Sequence, residues 1–117
     1  MGFKFENLEV WKKALNLGLH IHDLTGSFPK EERYILTPQI KRAVDSIALN
    51  IAEGSTGQTN AEFKVFLGYA VRSAIEVVSC LHIEKKRKII DERDFQELYS
   101  ETETIVKMLQ ALRKSLT

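Results

Sequence analysis

Proline is scarce in this sequence, with two in 117 residues, and most of its six glycines fall between stretches of regular hydrophobic spacing. Uninterrupted interiors of that kind favour helices, which tolerate those two residues least. Cysteine is nearly missing. Cys80 alone closes no internal disulfide and lies in an apolar helical pattern, so a buried, reduced thiol and a cytoplasmic setting are expected. Neither sign of charge is in excess. At a formal net charge of +1, bulk electrostatics provide no drive toward nucleic acid or an anionic membrane. Binding of that sort requires a local patch, multiplied by symmetry if the chain assembles. Charged residues interrupt every apolar run well before the roughly 18 residues of a membrane span. Met1-Gly2-Phe3-Lys4-Phe5-Glu6 offers neither an apolar secretion signal nor the Ser or Thr of a myristoylation motif.

Motifs that carry chemistry are missing as well. There is no Glu-x-x-His repeat of the kind that builds a bundle-core di-iron site. There is no glycine-rich phosphate loop, and no activating signature stands beside Cys80. His20 and His22 are two apart and point in different directions on a helix, while His82 is alone. No catalytic residue, cofactor or metal is therefore expected.

What is present is helical periodicity, in four segments. A length of 117 residues, 44% of them apolar and 28% charged, suits one globular domain spanning 1–117. The first helix is expected from Asn7, as its cap, to Thr25, with Gly26 left-handed beyond it. Val10, Ala14, Leu17, Ile21 and Leu24 form its stripe, widened by Leu8, Trp11 and Leu15. The connector Ser27–Leu36, with Phe28 and Tyr34, should pack over the bundle end. Thr37 and Pro38 open a second helix, as cap and first residue, with Ile40, Val44, Ile47 and Ile51 inward and Gly54 at its end. Thr59 and Glu62 make a capping box for a third helix reaching about Lys88, whose Phe63, Leu67, Ala70, Ala74, Val77 and Leu81 form a heptad seam. Asp91 caps the fourth, with Ile90 and Phe95 spaced as a hydrophobic staple, and its stripe runs from Phe95 to Leu116. Short links between four amphipathic helices predict an all-α, antiparallel up-down-up-down four-helix bundle.

Two further patterns stand out. Gln39, Arg42, Ser46, Asn50 and Glu53 share one face of the second helix, and Ser73 and Glu76 are spaced likewise on the third. They read either as a polar seam setting register, for example Arg42 paired with Glu76, or as a ligand site. The third helix also carries a surplus, Val65, Tyr69, Val71, Ile75 and Val78, that a second copy of the chain would bury most simply, or that the connector with Phe28 and Tyr34 would cover in part.

The run Gln39-Ile40-Lys41-Arg42-Ala43 leads to Ser46-Ile47-Ala48-Leu49-Asn50-Ile51-Ala52-Glu53-Gly54. Leu8-Glu9-Val10-Trp11 and Phe28-Pro29 precede it, and Ser73-Ala74-Ile75-Glu76 follows. Together they resemble the bacterial four helix bundle protein family, encoded in intervening sequences of large-subunit ribosomal RNA genes, over nearly the whole chain. The resemblance implies a compact bundle in a homopentameric ring, without attributed enzymatic activity. The family is similar in fold to an accessory protein of diversity-generating retroelements that binds nucleic acid and a reverse transcriptase. Many relatives carry an arginine shortly after Glu-Gly, where this chain reads Ser55-Thr56-Gly57-Gln58, which weakens phosphate binding by that loop. A glycine often precedes the serine matching Ser73, where Arg72 stands here.

The densest basic run, Lys85-Lys86-Arg87-Lys88 with Arg93 nearby, lies at the turn between the third and fourth helices. Repeated around a ring it would follow RNA or DNA phosphates without reading bases. Alternatively it solubilises the chain and complements a helix dipole, with Asp91, Glu92 and Asp94 blunting its field. The functional expectation is thus an oligomeric, non-enzymatic scaffold, either nucleic-acid-binding or a protein–protein adaptor, with no membrane role.

Overall fold

The computed structural model describes residues 2–116. Four helices follow the four periodic segments: α1 (Glu9–Thr25), α2 (Leu36–Ser55), α3 (Asn60–Lys86) and α4 (Glu92–Ser115). Two 3-10 turns, Lys4–Asn7 and Lys30–Glu32, lie before α1 and in the α1–α2 connector, and there is no strand among the described residues. Each helix packs against its neighbours in sequence, and α4 closes the ring against α1. The bundle is antiparallel and up-down-up-down, 43 × 22 × 21 Å.

The stripes face one core. Ile40, Val44, Ile47 and Ile51 of α2 have no exposed surface, nor do Leu67, Ala70, Ala74, Val77 and Leu81 of α3. Cys80 is buried among them, and burial above all, with the charges of Glu84 and Glu76 behind it, pushes its thiol up to about 11. Such a thiol is protonated and unreactive at neutral pH. By length and composition α3 would also pass for a membrane-crossing helix, with a mean hydropathy of 1.3 over its most apolar window. Here nine of its residues are buried and it packs against α2 and α4.

Two caps form where the sequence places them. Thr59 accepts a hydrogen bond from the Glu62 amide at 3.0 Å, and Asp91 accepts from the Asp94 amide at 2.7 Å. Others do not. Asn7 ends a 3-10 turn, and Leu8 occupies the α1 cap position without a side-chain bond. Gly26 keeps right-handed geometry, φ −61° and ψ −24°, because the chain leaves α1 through further turn bonds. The second helix starts one turn-fraction early: Ile35 is its cap residue, so Thr37 and Pro38 already lie inside it. In the connector Phe28 packs on the core and Leu36 is buried, but Tyr34 and Ile35 remain exposed. The left-handed non-glycine residue among the described residues is Lys88, φ 61°, at the end of α3. There the Ile89 amide donates to the Glu84 carbonyl at 2.8 Å and the Lys88 amide to the Lys85 carbonyl at 3.0 Å, the Schellman pattern.

Gly54 shows why the Glu-Gly pair ends α2 as it does. A Cβ there would lie 2.5 Å from the Cβ of Phe66 and 3.0 Å from the Phe63 ring. The helices α2 and α3 meet at this point on the bare glycine backbone.

Candidate functional site

Three surfaces carry chemistry that the core does not use. The first is the polar seam between α2 and α3. The Ser73 hydroxyl donates to the Tyr69 carbonyl at 3.1 Å, and Asn50 donates through Nδ2 to the Ser46 hydroxyl at 3.0 Å and its carbonyl at 2.9 Å. The Ser46–Ser73 contact of 2.9 Å is then completed by the Ser46 proton. Every hydrogen in that chain has an acceptor. Glu76 accepts from Gln39 Nε2 at 3.3 Å, so the Arg42–Glu76 pair expected from sequence is replaced. Arg42 and Glu53 are exposed and make no ion pair among the described residues.

The second is the basic end. Antiparallel topology gathers the end of α1, the connector, the start of α2 and the α3–α4 turn at one pole. The five nominated cations are unequal there. Lys85 Nζ lies 3.0 Å from Glu92 and 4.4 Å from the centre of the Phe95 ring. Glu92 is held below the ordinary carboxylate range by the Gln96 hydrogen bond and then by Lys85. Arg93 pairs with Glu97 at 3.3 Å. Lys86, Arg87 and Lys88 are exposed and unpaired among the described residues. Sequence reading missed Lys30, Arg33 and Lys41 at this pole and placed Arg42 only in the polar seam, because it takes the fold to bring the connector's cations beside those of α2.

The third is apolar. A groove of about 810 Å³ runs between α1 and α2, with Leu15, Leu19 and Leu49 on its walls and the small residues Ala14, Gly18 and Ala48 among its lining. Of the α3 surplus, Val65, Tyr69 and Ile75 are exposed, whereas Val71 is buried and Val78 half-buried against the chain itself.

Inside the basic pole sits Glu84, with no exposed surface and no hydrogen-bond partner on either carboxylate oxygen. Burial, and secondarily the charge of Glu32, push its carboxyl up to about 8. One Glu32 oxygen is also buried without a partner. The signal for Glu84 was in the seam, since it continues Val77–Leu81 by one further step of three.

The three histidines lie apart from one another. His20 contacts Glu101 of α4 at 2.8 Å and His22 contacts Asp45 of α2 at 3.2 Å, on opposite flanks of α1. His82 is exposed and lies edge-on to Phe95 and Tyr99. Among the described residues no group of three or more His, Cys, Asp or Glu side chains is placed to hold a metal ion.

No curated protein matches the chain. The fold is shared with a protein of unknown function from the S23 ribosomal protein family of Bacteroides thetaiotaomicron VPI-5482. The two are 23% identical and superpose with a TM-score of 0.81 over 90% of this chain and 98% of that one. The model of the 23S rRNA-intervening sequence protein family matches residues 6–111. The chain belongs to the 23S rRNA-intervening sequence protein family.

Proposed function

We propose that this chain is a non-enzymatic scaffold that assembles with copies of itself and meets RNA or DNA phosphates with its basic pole. The observation that carries the assembly is the α1–α2 groove. Leu15, Leu19 and Leu49 are 44%, 64% and 62% exposed along it, although burying a leucine stabilises by about 1.5–3 kcal/mol. Val65, Tyr69 and Ile83 share the outer face of α3, which has the form of an amphipathic ridge that a groove accepts. Groove-to-ridge pairing joins two different surfaces, and such pairing closes into a ring when the rotation between subunits divides a full turn. The family resemblance implies five subunits.

In a ring each copy would contribute one basic pole, so weak phosphate contacts act together. Lys88 supports this use of the turn. A glycine would hold the left-handed position at lower cost, yet a cation stands there. The pairing of Lys85 and Arg93 with acids favours a second reading, an adaptor that binds protein without nucleic acid.

Light scattering on the purified chain tests the assembly. A mass several times 13.4 kDa is expected, collapsing to one copy in Leu19→Asp/Leu49→Asp with helical circular dichroism retained. A wild-type monomer at high micromolar concentration overturns it. Anisotropy of labelled RNA separates the two readings. Charge reversal of Lys86, Arg87 and Lys88 weakens binding in a nucleic-acid scaffold, and there is no binding to weaken in an adaptor.

A further inference from the structure

The connector and the first turns of α2 enclose a cleft of about 740 Å³, a volume typical of ligand sites. Four cations line it: Lys30 and Arg33 from the connector, Lys41 and Arg42 from α2. None of the four forms an ion pair or a side-chain hydrogen bond among the described residues. The acid on the lining is Asp45, whose two oxygens each lie 3.2 Å from His22 Nε2. Four cations around a concavity with one carboxylate among them leave an excess of positive charge that repels itself, and an anion in the cleft relieves that repulsion. Arginine guanidinium groups match phosphate oxygens two at a time. Thr37 adds a hydroxyl, and Phe28 adds apolar surface against which a base could lie.

We infer that this cleft is a phosphate-binding site, and that within the scaffold it takes the backbone of a single-stranded nucleic acid. The Lys85–Lys88 turn is a weaker site for the same strand. Lys85 and Lys88 line a separate cleft of about 600 Å³ beside Ser27, but share it with Asp91, Glu92 and Asp94. Gly26 lines the first cleft and Ser27 the second, so the two adjoin across the end of α1. A strand anchored between Arg33 and Arg42 would continue toward Lys88. As a site for a strand, the cleft rests on the nucleic-acid reading above. As a site for phosphate, it does not.

The test uses the full chain and two probes. Arg33→Glu/Arg42→Glu, both at exposed positions, is compared with wild type and with Lys86→Glu/Arg87→Glu/Lys88→Glu, helicity and melting temperature serving as fold controls. The first probe is a labelled single-stranded RNA, followed by anisotropy across salt concentrations. The cleft variant loses at least about tenfold in affinity, and the slope of log affinity against log salt drops by about 1.4 for two phosphate contacts. The turn variant loses less affinity than the cleft variant. Wild-type affinity in the cleft variant overturns the cleft as the strand site, even if the turn variant fails to bind. The second probe is pyrophosphate, followed by amide chemical shifts. Shifts confined to Lys30–Asp45 and abolished by Arg42→Gln support a phosphate cleft even where RNA does not bind, in which case the nucleic-acid reading alone fails. Absence of those shifts overturns the phosphate site.

Discussion

Glu84 makes stability depend on pH in an unusual direction. Its carboxyl is fully buried, lacks a hydrogen-bond partner and lies near a second carboxyl, that of Glu32. The folded chain therefore keeps a proton up to about pH 8, whereas the unfolded chain releases it near the ordinary 4.5. Between those values the native state binds more protons than the unfolded one, so stability falls as pH rises and levels off above 8. At 1.36 kcal/mol per pKa unit, the shift amounts to about 5 kcal/mol, of which about 4 kcal/mol falls between pH 5 and 9. That is a large fraction of a typical domain's stability of about 5–15 kcal/mol. Urea unfolding of wild type and Glu84→Gln, at one protein concentration and at intervals from pH 5 to 9, isolates the effect because all other titrating groups are common to both. The Cys80 thiol, raised from 9.0 to about 11, stays protonated in the native chain over this range. The expected result is a wild type that weakens by about 4 kcal/mol relative to Glu84→Gln as pH rises. Parallel pH profiles for the two proteins would show that Glu84 is ionised in the fold, and would refute the reasoning.

Three further perturbations follow from local geometry. Gly54→Ala places a methyl 2.5 Å from Phe66 Cβ, so α2 and α3 must separate, and a loss of about 1–3 kcal/mol in chemical denaturation is expected. An unchanged midpoint would show that the two helices do not meet there. Lys88→Gly removes a left-handed lysine at the end of α3 and should raise stability by about 1 kcal/mol, while Lys86→Gly, at the last helical residue, lowers it by less than that. Thermal melts that rank these two the other way round would contradict the Schellman ending. Thr59→Ala and Asp91→Ala each remove a cap acceptor and should cost about 1 kcal/mol, measured by urea midpoint, whereas Asn7→Ala, which caps nothing in α1, should cost far less.

Much of the architecture was legible because burial is periodic. Ile40, Val44, Ile47 and Ile51 can share a face only on a helix, and the core they enter needs no information beyond that spacing. Caps were legible where a side chain supplies the acceptor, as at Thr59 and Asp91. They were misread where the backbone turned by itself, as before Leu8 and after Thr25. The α3 surplus divides in a way that spacing does not show, since Val71 and Val78 are covered by the chain while Val65, Tyr69 and Ile75 are exposed. The Lys85–Lys88 cluster was conspicuous as a run and the acids that blunt it were legible beside it, but which of them pairs with which cation was not. Glu92 is seven residues from Lys85, across a turn, and only the folded turn brings their charges to 3.0 Å.

The sequence by itself determined that the chain forms four amphipathic helices, their order and their antiparallel course, because helical period and link length are local properties. Tertiary structure alone decided which charges meet across elements. Lys30 and Arg33 lie outside any helical face, and it takes the docking of the connector on α2 to set them beside Lys41 and Arg42 around one cleft. The same holds for Glu84, which looks like one more polar residue at a helix end until the bundle closes over it and withdraws the water that would keep it ionised.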